Sequence, residues 1–253
     1  MELQNTAHIL KSIMNVGEIM LTSGAGINRV EDTIQRMLYA YGCVRVDVFS
    51  ITSSIVVTVQ DKDGEIYTQT RRILAYETNL NKVERCNALS RQVCRKTLEL
   101  DRLSQAVEEI RTCTDYSDGV ILVAYGCISA AFSVFFGGTA GDGIAAFIGG
   151  LLLYFVGRIL NQLHVHSIIL TILSSMCVAL SAAGLTWLGL GDSVDKIIIG
   201  NIMLLIPGIS LTTALRDMIS GDTISGLLGL CEALIRALAI AIGFAAVLWR
   251  FQG

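Results

Sequence analysis

Apolar positions recur at helical spacing early in the chain, at Ile9, Ile13, Val16 and Met20. The pattern stops at Thr22-Ser23-Gly24-Ala25-Gly26, where glycine permits a left-handed cap. A second helical stripe follows at Val30, Ile34, Met37 and Tyr41, with Asn28 placed to cap it and Glu31, three residues on, placed to reach back to the cap. The period then shortens to two. Val44, Val46 and Val48, then Ile55, Val57 and Val59, predict strands, and Asp61-Lys62-Asp63-Gly64 predicts a hairpin turn into a strand from Glu65 to Thr70. Two further helices are expected near Asn79 to Lys96 and Asp101 to Cys113. Together these elements predict a small α+β domain over residues 1–115.

From residue 116 onward the alternation gives way to long apolar runs. Five can be drawn: Gly119 to Phe136, Ile144 to Gly157, Ser167 to Leu190, Ile197 to Leu215, and Ile224 to Trp249. All but the second reach the roughly 18–25 residues that a membrane span needs. The second is short, follows Gly137-Gly138-Thr139-Ala140-Gly141-Asp142 and is divided by Gly149-Gly150, which leaves open a full span, a short helix pair or re-entrant piece, or glycines used for close helix packing. The expected fold is thus an α+β N-terminal soluble domain followed by an all-α membrane domain of about five transmembrane helices at 116–253. Five spans place the C-terminus opposite the N-terminus, and an odd number suits one half of an inverted-repeat transporter.

The stretch from Asn201 to Phe244 organises this second part. It holds the one proline of the chain, Pro207, followed by Gly208; an apolar helix accepts proline only where protein or water satisfies the freed carbonyls. Glu232 and Arg236 lie four residues apart, on one helix face, amid apolar neighbours. They either neutralise each other as a structural pair or divide the work, Arg236 binding a carboxylate through its planar fork and Glu232 carrying a proton. Asn201, Pro207, Gly208, Glu232 and Arg236 are therefore the candidate substrate-binding or coupling residues.

Charge sharpens the division. The chain is 53% hydrophobic, yet fourteen of its 19 Lys and Arg residues precede Val120. Arg91, Arg95, Lys96, Arg102 and Arg111 lie before the first span and predict that this side is cytoplasmic. A net charge of −3 with no basic run excludes a nucleic-acid partner. The first twenty residues lack the apolar core of a cleavable signal, and the seven cysteines show no Cys-x-x-Cys spacing, so reduced packing cysteines and no cofactor or metal are expected. His164 and His166 form a lone His-x-His without further ligands.

Two enzymatic alternatives have residues behind them. The Ser23-Gly24-Ala25-Gly26 loop would serve a hydrolase if Ser23 were a nucleophile, but no partner base or nucleophile elbow accompanies it, which favours a helix-to-helix turn. Gly189-Leu190-Gly191-Asp192 matches the Gly-x-Gly-Asp string of intramembrane aspartyl proteases, with Asp118 as the second carboxylate, although Asp192 falls among turn residues. A regulatory or structural membrane subunit would show the same hydropathy.

Three strings, LTSGAGINRVEDTIQRM, FFGGTAGDGIAAFIGG and PGISLTTALRDMISGDTISGLLGLCEALIRALAIAIG, in this order and spacing, cover almost the whole chain. In them the sequence resembles the threonine/serine exporter family of bacterial membrane proteins. The resemblance implies a multi-pass protein of the bacterial inner membrane with a cytoplasmic N-terminal domain. It further implies the larger subunit of a two-gene member, whose partner is a separate small membrane protein, with oligomerisation of the pair compatible. Some two-gene relatives are associated with export of dicarboxylates such as succinate, so the implied substrate is a small carboxylate-bearing metabolite. Positions carried over are Pro207-Gly208, Arg216-Asp217, Asp222, and Ser23, Gly24, Arg29 and Glu31 of the front part; the last seven are expected at a gate or interdomain contact.

Overall fold

The computed structural model describes residues 2–74, 76–113, 116–163 and 166–251. Asp115, the expected domain boundary, and His164 of the His-x-His pair lie outside the described residues. The chain forms two compact units, one of residues 1–115 with 208–231, the other of residues 116–207 with 232–253.

In the first unit, α1 (Glu2–Thr22) and α2 (Ile27–Ala40) pack their apolar stripes together, burying Ile13, Met14, Ile34 and Met37 completely. The turn between them is set by Gly24 at φ 90°, where the Ala25 amide reaches back to the Met20 carbonyl at 3.0 Å and closes a Schellman cap. Strands β1 (Arg45–Ile51), β2 (Ser54–Gln60) and β3 (Ile66–Arg72) form an antiparallel meander in the order β1-β2-β3. One face of β2, Ile55, Val57 and Val59, is fully buried, as its alternation predicts. The Asp61 carboxylate holds the β2–β3 turn by accepting the Asp63 and Glu65 amides, each at 3.0 Å. Helices α3 (Leu80–Arg95) and α4 (Leu100–Thr112) add Val83, Cys86, Leu103 and Val107 to the same core. Burial pushes the Cys86 thiol up to about 12, which fits an inert packing cysteine. The unit is completed from far along the chain by α9 (Gly208–Ile219) and the first residues of α10 (Thr223–Phe251).

The second unit comprises α5 (Asp118–Phe135), α6 (Ala140–Gln162), α7 (Ser167–Trp187), α8 (Val194–Ile202) and the rest of α10. Among the described residues four helices, α5, α6, α7 and α10, are long and apolar enough to cross a membrane.

These observations correct the expected fold class. The chain is predominantly helical, the one small sheet among the described residues is confined to residues 45–72, and the chain is not a soluble α+β domain followed by about five spans. The run drawn from Ile197 to Leu215 is two helices. Proline has no amide hydrogen to donate and its ring disfavours helical geometry before it, so α8 stops at Ile202 and α9 begins after Pro207. Nine and 12 residues give about 14 and 18 Å of helix, well short of a hydrocarbon core of about 30 Å. With four candidate spans, the inference of an odd number and of a C-terminus opposite the N-terminus falls as well. Conversely, the run drawn as short, Ile144 to Gly157, belongs to a continuous 23-residue helix. Its start is moved back to Ala140 by a capping box in which Thr139 and Asp142 each bond the other's backbone amide.

Gly149 and Gly150 do not break α6; they let neighbours in. A Cβ on Gly150 would lie 2.6 Å from both the Tyr125 carbonyl oxygen and Ser129 Oγ, whereas one on Gly157 of the same helix would meet nothing within 4 Å. Gly150→Ala is therefore expected to destabilise by about 1–3 kcal/mol through overpacking, while Gly157→Ala stabilises by up to about 1 kcal/mol through helix propensity. Melting of both variants in detergent checks this; equal shifts would contradict the packing.

Candidate functional site

The first cluster of candidate residues surrounds the N-terminus of α2. Gly26 is its N-cap and offers no side chain, so the first amides of α2 need an acceptor from elsewhere. Asp217, near the end of α9 and 5% exposed, supplies it by accepting the Ile27 amide. The carboxylate also sits at the positive end of the helix dipole. Gly26 is required for this approach: an added Cβ would fall 2.9 Å from Asp217 Oδ1 and would overlap the Arg216 guanidinium. Burial nevertheless raises the Asp217 carboxyl above its ordinary value, and Asp222 adds to the rise against the Ile27 bond and Arg216.

Glu31 does not close the predicted box with Asn28, because the N-cap of α2 is Gly26, two residues before Asn28, and the cap is met from α9. Glu31 Oε1 instead accepts the Ser50 amide at 2.6 Å, at the end of β1. The Ser50 carbonyl accepts Ser225 Oγ of α10 at 3.5 Å. Asp222 Oδ2 is buried with no partner among the described residues. Within one unit the structure thus brings Arg216 and Asp217 to Gly26 and Glu31 to Ser50, with Asp222 close enough to act on both the Glu31 and Asp217 carboxyls, while Arg29 stays exposed on α2. Ser23 is 3% exposed and lines a cavity of about 230 Å³ whose walls include Glu18, Glu77 and Lys82 but no histidine.

The Glu31 carboxyl is raised above its ordinary value of 4.5, first by burial and further by Asp222, with the Ser50 bonds opposing. A carboxyl raised in the folded state favours folding when protonated. Its contribution is complete below about pH 4.5 and is lost as pH rises through the raised value. Glu31→Gln, which keeps an acceptor for the Ser50 amide, is expected to melt higher than the parent at pH 7 and to match it at about pH 4. A variant less stable at pH 7 would show that the ionised bond to Ser50 outweighs burial.

In the second unit the densest polar arrangement is one that sequence reasoning missed. Asp142 is wholly buried, and its carboxylate accepts the Thr139 amide at 2.9 Å and the Asp192 and Ser193 amides at 2.7 and 2.8 Å. Thr139 Oγ donates to Asp192 Oδ2 at 2.7 Å and accepts the Asp142 amide at 3.2 Å. Asp142 therefore fastens the α7–α8 turn to the start of α6. The Thr139-x-x-Asp142 spacing was the signal that could have found it. This arrangement accounts for the Gly-x-Gly-Asp string. Asp118, the second carboxylate of the protease reading, pairs with Arg158, which also bonds Tyr154. The two protease aspartates thus have separate partners.

A second buried polar group lies where α5, α6 and α8 meet. Asn201, wholly buried in the last turn of α8, donates to the Ile197 carbonyl at 2.9 Å, while its Oδ1 has no partner among the described residues. Ser129 Oγ and Ser133 Oγ of α5, also wholly buried, are likewise unpartnered. Glycines bring these groups together: a Cβ on Gly149 would lie 2.7 Å from Asn201 Nδ2, and one on Gly200 2.9 Å from Ser133 Cβ. Asn201 thus joins residues that the sequence did not single out, six positions before Pro207. Glu232 is exposed and Arg236 half-buried on α10, and among the described residues no ion pair joins them or engages either one. Pro207 is half-buried and Gly208 exposed. No group of three or more His, Cys, Asp or Glu residues among the described residues is arranged to hold a metal.

A family model described as "Putative threonine/serine exporter" matches residues 11–250. The chain belongs to this family. Relatives of this threonine/serine exporter family member include a "Probable threonine/serine exporter" of Mycobacterium tuberculosis, 22% identical over 243 residues, which make up 94% of this chain and 45% of that protein. The chain thus spans less than half the length of the mycobacterial relative. Two others are each named "Probable succinate transporter subunit YjjP". That of Klebsiella aerogenes is 23% identical over 92% of this chain and 91% of its own length. That of Escherichia coli is 22% identical over 100% and 99%. No solved structure matches the chain. The relatives are named as transporters, which agrees with the non-enzymatic reading of Ser23 and Asp192 in this exporter family member.

Proposed function

We propose that this chain is the larger subunit of an inner-membrane secondary exporter that moves a small carboxylate-bearing metabolite, an amino acid of the threonine/serine type or a dicarboxylate such as succinate. A separate small membrane subunit completes it. The observation that carries this reading is the state of Glu232 and Arg236: both lie midway along a candidate span, incompletely buried and without an ion pair among the described residues. At a helix centre a charge costs about 2.5–3.5 kcal/mol on insertion scales, so such groups face a partner, a water-filled path or a substrate rather than lipid. The subunit names of two relatives support a partner. Asn201 Oδ1, Ser129 Oγ and Ser133 Oγ, buried with no partner among the described residues, support a polar route near the break at Pro207, since interrupted helices mark sites in secondary transporters. The excess of Lys and Arg ahead of α5 supports a cytoplasmic side for the N-terminal residues.

Arg236 holds the substrate carboxylate and Glu232 carries the coupling proton. Glu232→Gln is therefore expected to bind and exchange substrate but to lose accumulation against a gradient under an imposed pH difference. Accumulation equal to that of the parent protein would end the proton role.

A further inference from the structure

The connection between α3 and α4 forms a cleft of about 570 Å³ whose walls include Arg91, Arg95, Lys96 and Arg102. The first two are one turn apart on the exposed side of α3. Lys96 is its extended C-cap, and Arg102 comes from the first turn of α4. Leu98 fixes the floor: it packs against the core, and its carbonyl accepts the Tyr41 hydroxyl at 3.0 Å. Glu99 is the one carboxylate in the lining. Among the described residues no ion pair engages any of the four cations.

A solvated helix face accounts for only part of this. Arg95 and Lys96 at the C-terminal end of α3 are favoured by its dipole, but Arg102 in the first turn of α4 opposes the dipole there. Arg91 and Arg95, four apart, repel each other. A topological signal of positive residues before a span needs their number only, not their convergence on a cavity. The cleft falls within the roughly 300–1,000 Å³ of small-molecule sites, and four cations against one carboxylate give its described lining an excess of three positive charges.

We infer that the α3–α4 cleft is a binding site for a phosphate-bearing anion, either a soluble phosphorylated metabolite or the phosphomonoester headgroup of a lipid. Guanidinium forks match phosphate oxygens bidentately, and one phosphomonoester brings close to two negative charges to a single point, whereas a monocarboxylate brings one. The site belongs wholly to the first unit and does not rest on the transport reading.

The test uses the full chain in a neutral detergent. Inorganic pyrophosphate and dihexanoyl phosphatidic acid are titrated separately, with dihexanoyl phosphatidylcholine as control, and binding is followed calorimetrically at two salt concentrations. At least one phosphate probe is expected to bind saturably, with Kd raised about tenfold or more in Arg91→Gln/Arg95→Gln and in Lys96→Gln/Arg102→Gln. It should remain unchanged in Lys11→Gln/Arg72→Gln, which removes two exposed cations outside the cleft. Pyrophosphate binding identifies the soluble source. Binding of phosphatidic acid alone, with phosphatidylcholine silent, identifies the lipid source. The site is refuted by no saturable binding of either probe, or by equal weakening in the Lys11/Arg72 control. All three double variants change exposed residues, and their unfolding midpoints report that the fold is kept.

Discussion

Replacing Asp142 by alanine is expected to destabilise the membrane-spanning unit by roughly 3–5 kcal/mol, the largest effect of any single truncation considered for this chain. The Asp142 carboxylate is the acceptor for three backbone amides, those of Thr139, Asp192 and Ser193, in a site with no exposure to solvent. A hydrogen bond to a charged group contributes about 1.5–3 kcal/mol, and buried amides left without an acceptor cost desolvation besides, although the terms do not add fully. Two links break together: the capping box that starts α6, and the tie between α6 and the α7–α8 turn. Asp142→Asn keeps an acceptor for Asp192 and Ser193 but turns an amide toward the Thr139 N–H. It is expected to lose about 1–3 kcal/mol, between the parent and the alanine variant. Thermal melting in detergent, followed by monodisperse recovery, orders the three proteins. An alanine variant as stable as the parent would show that the α6 N-terminus is held by something else.

Arg236→Gln is expected to reduce efflux of a carboxylate substrate by about 100-fold or more at unchanged protein level, because removing the partner of a buried or desolvated carboxylate costs about 3–5 kcal/mol. Arg236→Lys keeps the charge without the fork and is expected to restore only part of the rate. This pair of variants separates binding from architecture: a purely structural cation would be replaced by lysine with little loss, and its removal would lower the melting point along with efflux. Efflux by Arg236→Gln within a few-fold of the parent would remove Arg236 from the substrate site.

Much of the local structure was legible in the chain, for physical reasons that are themselves local. The turn at Gly24, the alternation of Ile55, Val57 and Val59, and the Asp61–Gly64 hairpin each depend on residues close in sequence, and each is present. What the pattern misjudged depends on distant residues. Asn28 has a side chain fit for a cap, but the end of α2 is satisfied by Asp217, 190 positions away, so no local rule could rank the two. Glycines 149 and 150 look like breakers in isolation. Inside α6 their missing side chains are filled by Asn201, Ser129 and the Tyr125 carbonyl, contacts that hydropathy does not report. The apolar run across Pro207 has the length of a span, yet proline divides it and Gly208–Cys231 groups with the N-terminal residues. The motif positions Glu31, Arg216, Asp217 and Asp222 were picked singly, and their convergence around Gly26 and Ser50 appears only in three dimensions.

The polar seam of Ser129, Ser133 and Asn201 illustrates a different limit. Serine and asparagine in apolar helices are common, and neither composition nor spacing tells a satisfied side chain from an unpartnered one. Burial together with a vacant hydrogen-bond capacity makes these three stand out, because such groups cost free energy unless something else uses them.

Export by a two-subunit assembly is tested most directly by one transport measurement. Liposomes are loaded with labelled succinate or labelled serine and contain this chain, the small membrane subunit of the same exporter family, or both. Efflux of one of the two substrates only when both proteins are present is the expected result, and it also assigns the substrate class. Absence of efflux of either substrate under any imposed gradient, with folded protein confirmed, would contradict the exporter reading, and full efflux from the chain alone would contradict its need for a partner.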